Sequence, residues 1–505
     1  MIAVFQFDSV SVPLMERLLA EGRLPTLAGL RARGRMLELE TPATHFPAGS
    51  YATLYSGLEI ADHGMYYSFQ WSPAEQRVRW RGSFPSPQLV WERLAASGKR
   101  ALVVDPYESA RPGLLNGIAL SGWQFVNVMS LERWSAPTSA HADLARRFGR
   151  PARMEEVFGR PTIGRLLSLH RLLLEATDRV TKAALHFLPG RFDLVWVNFL
   201  AAHLGGHMLW DLSQVEADKL DNRTRMTLER GLADLYIQID EGIGRILAAL
   251  PGDADLIVTS PMGMAENASR VDLLPGMLEA VLSRNGATRA RPAESRTERF
   301  LWQLRASIPA GARAKVAAAL HGPLTREVTM RLSSFGVDWS KTPAFLLPSD
   351  HFGQVRLNIR GRERDGIVEP GDADALSDEI CGGLLTFRDP DGQPAVISVD
   401  RSQDLIGEGR PLRSLPDLIV RWSDRPSARV SHVDSSRYGE VRRTGSGSGR
   451  SGGHRPDAWA VVVPGPSADA ASGPGRVVDI ASTVCSVLGV QSEALAGTPL
   501  LRPRS

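Results

Sequence analysis

The stretch MIAVFQFD, residues 1–8, is almost entirely apolar and predicts a short buried strand that ends on a carboxylate. The segment from Val12 to Arg33 follows, and its leucines recur near the helical spacing, which predicts a helix. Further apolar runs of strand length lie at Arg100–Val104, Asp193–Leu200 and Ala254–Thr259, with helical patterns between them. Strands that alternate with helices indicate an α/β fold with a largely parallel central sheet flanked by helices.

The region from about Asn267 to Pro343 interrupts this alternation, because it is rich in arginine and alanine and carries no strand signal. We therefore predict that residues 1–266 and 395–505 form the α/β core and that residues 267–394 form an inserted, mostly helical cap. Within the cap, residues 267–343 are predicted to be helical and residues 344–394 to contain a β-hairpin.

The composition narrows the class of protein. Of the 505 residues, 43% are hydrophobic and 23% are charged, which is the ordinary balance of a globular chain. The net charge is only +3 and no basic run occurs, so no nucleic-acid partner is expected. No apolar run approaches 18 residues, so no membrane association is expected. Two cysteines cannot form a disulfide framework, and these features together predict a cytoplasmic protein of unspecified oligomeric state.

Several polar side chains follow predicted strands, where ligands gather in α/β sheets. Asp8 ends the first strand, and His203 and His207 follow the strand Asp193–Leu200. The two histidines are four residues apart and share one face if the segment is helical. His454 lies at the end of a glycine-rich loop, just before the last predicted strand, Ala458 to Pro464. Three imidazoles suit a catalytic zinc site with one open position, whereas the alternative for each histidine is ordinary packing.

Short motifs occur in a fixed order along the chain. They are Asp8, Ser56-Gly57, His63-Gly64, the segment from Arg356 to Glu363, the segment from Pro416 to Val420, Gly453-His454-Arg455-Pro456, and the segment from Asp479 to Thr483. In this order they resemble the landmarks of the type I phosphodiesterase/nucleotide pyrophosphatase family, a branch of the alkaline phosphatase superfamily. The resemblance implies an alkaline-phosphatase-like core, two divalent metal ions bridged by a substrate phosphate, and a threonine or serine nucleophile at a helix N-terminus.

The resemblance implies one retained metal site. His203 stands where the family has an aspartate, and His207 and His454 stand at its histidine positions. An all-histidine shell of this kind still suits a divalent ion, zinc above all. Asp8 is the remaining candidate ligand, and it would otherwise orient a water molecule or act as a general base.

The second metal site departs from the family pattern. Where the family has an Asp-His pair, this chain reads Ser260-Pro261-Met262-Gly263, and neither Pro261 nor Met262 is a hard ligand. We therefore expect the second ion to be lost. The segment Ser349-Asp350-His351 resembles the missing motif, but it lies about 90 residues further along the chain. It is either a displaced ligand pair or a polar turn.

The nucleophile also departs from the pattern. The expected hydroxyl position falls on Pro47, or on His45 if the alignment follows Phe46-Pro47. Thr44 and Ser50 are the nearby hydroxyls and remain candidates. Helix capping is the structural alternative for both of them.

These features predict a metal-dependent hydrolase of phosphate esters that acts on a small anionic ester substrate through one ion and an activated water molecule. Two alternatives remain open at this point. One is a catalytically degenerate metal-binding pseudo-enzyme or regulatory scaffold, which the loss of the Asp-His pair favours. The other is a sulfate-ester hydrolase, because sulfate and phosphate esters present similar anionic oxygens.

Overall fold

The structure is a computed structural model of the 505-residue chain. It describes residues 1–126, 132–154, 160–215, 220–283, 327, 330, 337–443 and 448–504.

A nine-stranded sheet forms the centre of the larger lobe. Its strands, in spatial order, are Gly475–Arg476, Arg35–Glu40, Ala458–Val463, Asp255–Ser260, Ile2–Phe7, Leu194–Phe199, Ala101–Val104, Gly117–Ser121 and Trp134–Ala136. The four central strands from Asp255–Ser260 to Ala101–Val104 run parallel, whereas Ala458–Val463 is antiparallel to both of its neighbours. Every residue of Ile2–Phe7 is buried. The predicted α/β fold with a largely parallel central sheet is therefore confirmed.

Helices cover the sheet and place their apolar residues against it. They are Val12–Ala20, Pro25–Arg33, Gly49–Ser56, Ile60–His63, Val90–Ala96, Ala140–Phe148, Ile163–Phe187, Ala201–Leu209, Asn222–Leu247 and Asp479–Val487. The single helix predicted over Val12 to Arg33 is wrong. The first helix ends at Ala20, Gly22 has a positive φ of 69°, and Pro25 begins the second helix. Proline is favoured at a first helical position because the N–H it lacks would have no partner there.

A second lobe is built around a four-stranded antiparallel sheet. Its strands, in spatial order, are Ala344–Leu346, Gly353–Leu357, Leu418–Trp422 and Val396–Arg401. Helices Leu274–Ser283 and Ala373–Leu384 pack on this sheet and share its apolar core. The first two strands form a hairpin within the predicted range 344–394.

The predicted boundary between residues 394 and 395 falls inside this lobe. Strands from both sides of that boundary pair in the same sheet, as Leu418–Trp422 bonds both to Gly353–Leu357 and to Val396–Arg401. We therefore propose that the inserted lobe continues past 395 to the hairpin strand that ends at Arg442. Of the cap segment predicted to be helical, 267–343, residues 284–326, 328–329 and 331–336 lie outside the described residues.

Short elements complete the structure. They are helix Ser402–Ile406 and the strand pairs Phe69–Ser72 with Arg77–Trp80, Gly263–Glu266 with Gly452–Arg455, His432–Ser435 with Gly439–Arg442, and Ala468–Ala470 with Leu501–Pro503. Within the described ranges, no helix combines the length and the apolar character needed to cross a bilayer.

His63 is a buried landmark residue whose two ring nitrogens both have partners. The backbone N–H of Met65 donates to Nδ1 at 2.9 Å, so Nε2 carries the proton and faces the hydroxyl of Thr53 at 3.0 Å. Burial lowers the pKa of His63 to about 3. The imidazole is therefore neutral in the folded protein at neutral pH.

Lowering the pH should reduce the free energy of unfolding, because the buried His63 imidazole resists protonation in the folded state. Its folded-state pKa lies below the unfolded value, so its contribution is complete above about pH 6.5 and declines as the pH falls toward 3. The expected decline is roughly 1.4 kcal/mol per pH unit, or about 2 kcal/mol between pH 6.5 and 5. Urea unfolding of the wild type and of His63→Gln at pH 7 and pH 5 measures it. The wild type should lose about 2 kcal/mol of its free energy of unfolding relative to His63→Gln between pH 7 and pH 5. An unchanged difference in the free energy of unfolding would contradict the lowered pKa of His63.

Candidate metal centre

The site lies at the carboxyl ends of two neighbouring parallel strands. Ile2–Phe7 ends next to Asp8, and Leu194–Phe199 leads into helix Ala201–Leu209. This helix carries His203 and His207 one turn apart on the same face. The register of the two strands therefore brings the carboxylate and the first turn of the helix to one edge of the sheet.

His454 reaches this edge from a strand and not from a loop, so that part of the prediction is wrong. Strand Gly452–Arg455 pairs antiparallel with Gly263–Glu266 and runs against the helix of the two other histidines. A Cβ on Gly452 would lie 2.0 Å from the carbonyl oxygen of Gly206. Only glycine allows this close approach, which brings His454 to the helix.

The three histidines form a compact cluster. Their ligand atoms all lie within 4.8 Å of one another, and His203 Nε2 is 3.1 Å from His207 Nε2. The ring of His454 lies 4.8 Å from that of His203 and 4.7 Å from that of His207, centroid to centroid. Two nitrogens bound to zinc at about 2.1 Å with a tetrahedral angle are about 3.4 Å apart, so the spacing fits one ion.

Hydrogen bonds indicate which ring nitrogen of His203 and of His207 carries the proton. His207 Nδ1 lies 3.0 Å from the carbonyl oxygen of Gly452, which can only accept, so Nδ1 is the donor. His203 Nδ1 lies 3.0 Å from Asp8 Oδ2 and donates to this carboxylate by the same reasoning. Both Nε2 lone pairs consequently face each other without a proton between them. An imidazole that donates its other nitrogen to a carboxylate or carbonyl is the usual arrangement of a metal ligand.

His454 supplies a further sign of a ligand site, because its Nδ1 is buried and has no hydrogen-bond partner. Burial lowers the pKa of His454 well below its ordinary value, and the neighbouring histidines lower it further. Burial, with the charge of Arg450, likewise lowers the pKa of His207. These two imidazoles are neutral at neutral pH and present bare nitrogens. The residues therefore fit a divalent ion.

Asp8 is in contact with Tyr51, a residue that the sequence analysis did not identify. The Tyr51 hydroxyl lies 3.1 and 3.0 Å from the two carboxylate oxygens of Asp8 and 3.0 Å from His203 Nδ1. Tyr51 lies on helix Gly49–Ser56 and is buried. No motif points to a tyrosine in the first turn of a helix, so sequence reasoning had no signal for it.

The segment Ser260–Gly263, where the resemblance implies an Asp-His pair, is built into the protein interior. Met262 is fully buried in the main core, and the carbonyl oxygen of Pro261 accepts a hydrogen bond of 2.7 Å from Thr41. The hydroxyl of Ser260 donates to the Met262 carbonyl at 2.7 Å and accepts from the Val10 amide at 3.2 Å. In the part of the chain that the structure describes, His203, His207 and His454 are the one group of three suitable side chains close enough to share an ion.

A cavity of about 140 Å³ lies over the histidines, and the second lobe supplies part of its wall. Asp350 and His351, from the displaced motif, both line it. Asp350 Oδ2 lies 3.2 Å from Arg450 Nη1, and the ring of His351 lies 6.0 Å from that of His454. Burial lowers the pKa of His351 to about 4. The motif that sequence reasoning could not assign therefore reaches the site.

The two predicted nucleophiles do not line this cavity. Ser50 is completely buried and its hydroxyl lies 3.4 Å from that of Thr41. The hydroxyl of Thr44 donates to the Thr41 carbonyl at 3.1 Å, and Thr44 lines a separate cavity of about 420 Å³ together with His45. Pro47, at the expected hydroxyl position, does line the cavity over the histidines but has no hydroxyl.

Comparison with known proteins agrees with this architecture. The model of the type I phosphodiesterase/nucleotide pyrophosphatase family matches residues 2–436. No curated protein sequence matches. Among solved structures, phosphonoacetate hydrolase from Sinorhizobium meliloti 1021 in complex with phosphonoacetate superposes with a TM-score of 0.51, 13% identity, and coverage of 96% of this chain and 94% of that chain.

Murine ectonucleotide pyrophosphatase/phosphodiesterase 5 superposes with a TM-score of 0.50, 11% identity, and coverage of 98% of this chain and 97% of that chain. At these identities the structural likeness shows the fold alone, while the family match extends over most of the chain. The resemblance drawn from the short motifs is confirmed. The chain belongs to the type I phosphodiesterase/nucleotide pyrophosphatase family.

Proposed function

We propose that this protein is a metal-dependent hydrolase of compact phosphate esters that works with one divalent ion, for which zinc is the best fit. One observation carries the proposal. The Nε2 atoms of His203 and His207 lie 3.1 Å apart with both protons held on Nδ1, and the ring of His454 closes the group. Three imidazoles that leave a coordination position open are typical of catalytic zinc sites.

A bound ion would supply Lewis-acid activation of a phosphoryl oxygen and of an attacking water molecule. The chain itself would hold the ion through the three histidines and exclude bulk water with the walls of the cavity. Because Thr44 and Ser50 do not line the cavity, we propose direct attack by water without a covalent intermediate.

Arg450 is the residue that we propose binds the anionic oxygens of the ester. It lines the cavity beside the histidines, and Asp350 holds its guanidinium at 3.2 Å. The planar guanidinium matches the geometry of phosphate oxygens. The cavity volume of about 140 Å³ lies below the roughly 300 Å³ of a usual small-molecule pocket, which favours a compact ester over a whole nucleotide.

A catalytically degenerate metal-binding protein is the second candidate. Its support is that Pro261 and Met262 occupy the position of the family's second ligand pair, and that Pro47 or His45 stands at the position of its nucleophile. Under this alternative the histidines bind an ion that serves stability or regulation. A fold by itself does not establish turnover.

Turnover by metal-free and zinc-loaded protein separates these candidates. The protein is stripped with a chelator, reconstituted with one equivalent of Zn²⁺, and assayed with 4-nitrophenyl phosphate, bis(4-nitrophenyl) phosphate and 4-nitrophenyl sulfate. We expect the loaded protein to hydrolyse at least one phosphate ester and the stripped protein to hydrolyse none. Full zinc loading without turnover would favour the degenerate protein, and a preference for the sulfate would favour the sulfate-ester hydrolase.

A further inference from the structure

The surroundings of Asp8 indicate a role that differs from metal ligation. In the two-ion scheme that the family resemblance implies, this carboxylate would belong to the second ion. Here Asp8 is fully buried, and the Tyr51 hydroxyl lies 3.1 Å from Oδ1 and 3.0 Å from Oδ2. His203 Nδ1 lies 3.0 Å from Oδ2, and the side-chain amide of Gln6 lies 3.4 Å from Oδ1.

Counting protons fixes the direction of these contacts. An ionised carboxylate only accepts, so the Tyr51 hydroxyl and the His203 Nδ1–H both donate to Asp8. If Nδ1 were bare, it would face a carboxylate oxygen at 3.0 Å with no proton between them. Both Asp8 oxygens therefore accept hydrogen bonds from protein donors, the Tyr51 hydroxyl at each oxygen and the His203 ring at Oδ2.

Packing holds the Tyr51 hydroxyl in this position. The Tyr51 ring lies almost parallel to that of His203, with an interplanar angle of 5°, and the Tyr107 ring meets it edge-on at 5.0 Å. Tyr51 is only 2% exposed, and these two ring contacts hold its hydroxyl next to Asp8. The hydroxyl is consequently a fixed donor between the carboxylate and the imidazole.

We infer that the Tyr51 hydroxyl takes the place of a second cation at Asp8, and that Tyr51 and Asp8 are positioning residues for His203 on a single ion. This inference rests on the metal site of the proposed function. Asp8 keeps the His203 proton on Nδ1 and aims Nε2 at His207. A carboxylate that accepts from the other ring nitrogen of a ligating imidazole also increases the basicity of that ligand.

Zinc affinity, independent of any turnover, tests the inference. Stripped protein is titrated with Zn²⁺ against a chromophoric chelator, and the number of ions bound at saturation is recorded. The variant Tyr51→Phe keeps the ring and removes only the hydroxyl. Loss of such an outer partner typically weakens metal binding by roughly 10- to 100-fold, and we expect a dissociation constant raised within this range.

Tyr55→Phe is the matched control, because Tyr55 lies one turn further along the same helix. It is 1% exposed, and its hydroxyl donates to Gln6 Oε1 at 3.0 Å without touching a histidine of the cluster. Removing it costs a comparable buried hydrogen bond but should leave the zinc dissociation constant within about twofold of wild type, since the ligand shell is unchanged. Equal weakening in both variants would mean a general loss of structure and would overturn the inference.

The remaining outcomes separate the inference from the proposed function. One zinc per chain in the wild type with weakened binding in Tyr51→Phe alone would support both. Two ions at saturation, or unchanged affinity in Tyr51→Phe, would overturn the positioning role while leaving the three-histidine site intact. A wild type that binds no zinc would overturn the metal site and this inference together.

Discussion

Replacing His454 by alanine is expected to remove bound zinc almost completely, from about one ion per chain to near zero. The imidazole supplies one of only three protein ligands, and its buried Nδ1 has no hydrogen-bond partner that would be lost by the substitution. Zinc held by two histidines alone should dissociate during purification. The affinity should therefore fall by more than the roughly 10- to 100-fold that removal of an outer partner costs.

Elemental analysis of purified protein measures this effect, before and after reconstitution with excess Zn²⁺. His432→Ala is the matched control, because His432 lies on strand His432–Ser435 of the second lobe and its contacts are with Ser431 and Glu440. This control should keep its zinc. Full zinc content in His454→Ala would exclude His454 as a ligand, and near-zero zinc in the wild type after reconstitution would exclude the metal site.

Replacing Asp389 by alanine is expected to lower the free energy of unfolding by about 3–5 kcal/mol, because it leaves a buried guanidinium unpaired. Asp389 and Arg270 form a two-armed ion pair with N–O distances of 2.9 and 2.6 Å, and both side chains are 0% exposed. Arg270 also donates to the carbonyl oxygens of Ala268 and Ser423. The pair therefore ties the start of the second lobe to its four-stranded sheet.

Urea unfolding at neutral pH measures this loss against a surface pair of the same lobe. Asp378 bonds Arg401 at 2.7 Å but is 77% exposed, so Asp378→Ala should cost no more than about 1 kcal/mol. Replacing both buried partners, Arg270→Met with Asp389→Leu, should recover much of the stability because no buried charge remains unpaired. Similar losses in Asp389→Ala and Asp378→Ala would contradict the structural importance of the buried pair.

Local pattern was sufficient to predict the four central parallel strands of the nine-stranded sheet. Apolar runs such as Asp193–Leu200 and Ala254–Thr259 formed strands within one or two residues of their predicted limits. The pattern failed between Val12 and Arg33, where leucine spacing continued past a turn that Gly22 and Pro25 impose. The proposed extension of the inserted lobe past residue 395 depends on pairing between distant strands, which leaves no signal in the sequence of either strand alone.

The residues of the candidate site were likewise predicted from the sequence only in part. The four-residue spacing of His203 and His207 placed them together on one helix, since neighbours on a helix face are fixed by the helix geometry. The resemblance to a family added His454 to them. Neither pattern nor resemblance indicated Tyr51, and neither could decide whether Asp350 and His351 reach the cavity.

The sequence by itself therefore determined the α/β class, the strand that ends next to Asp8, and the family, and it singled out the three histidines that the fold brings together. These depend on the period of apolar residues and on short motifs, which are properties of neighbours along the chain. Only the tertiary structure decided that Tyr51 contacts Asp8 and His203, that Met262 is buried in the main core, and that Asp350 lines the cavity over the histidines. These contacts join residues up to several hundred positions apart, and they follow from strand register and lobe packing, which no local pattern encodes.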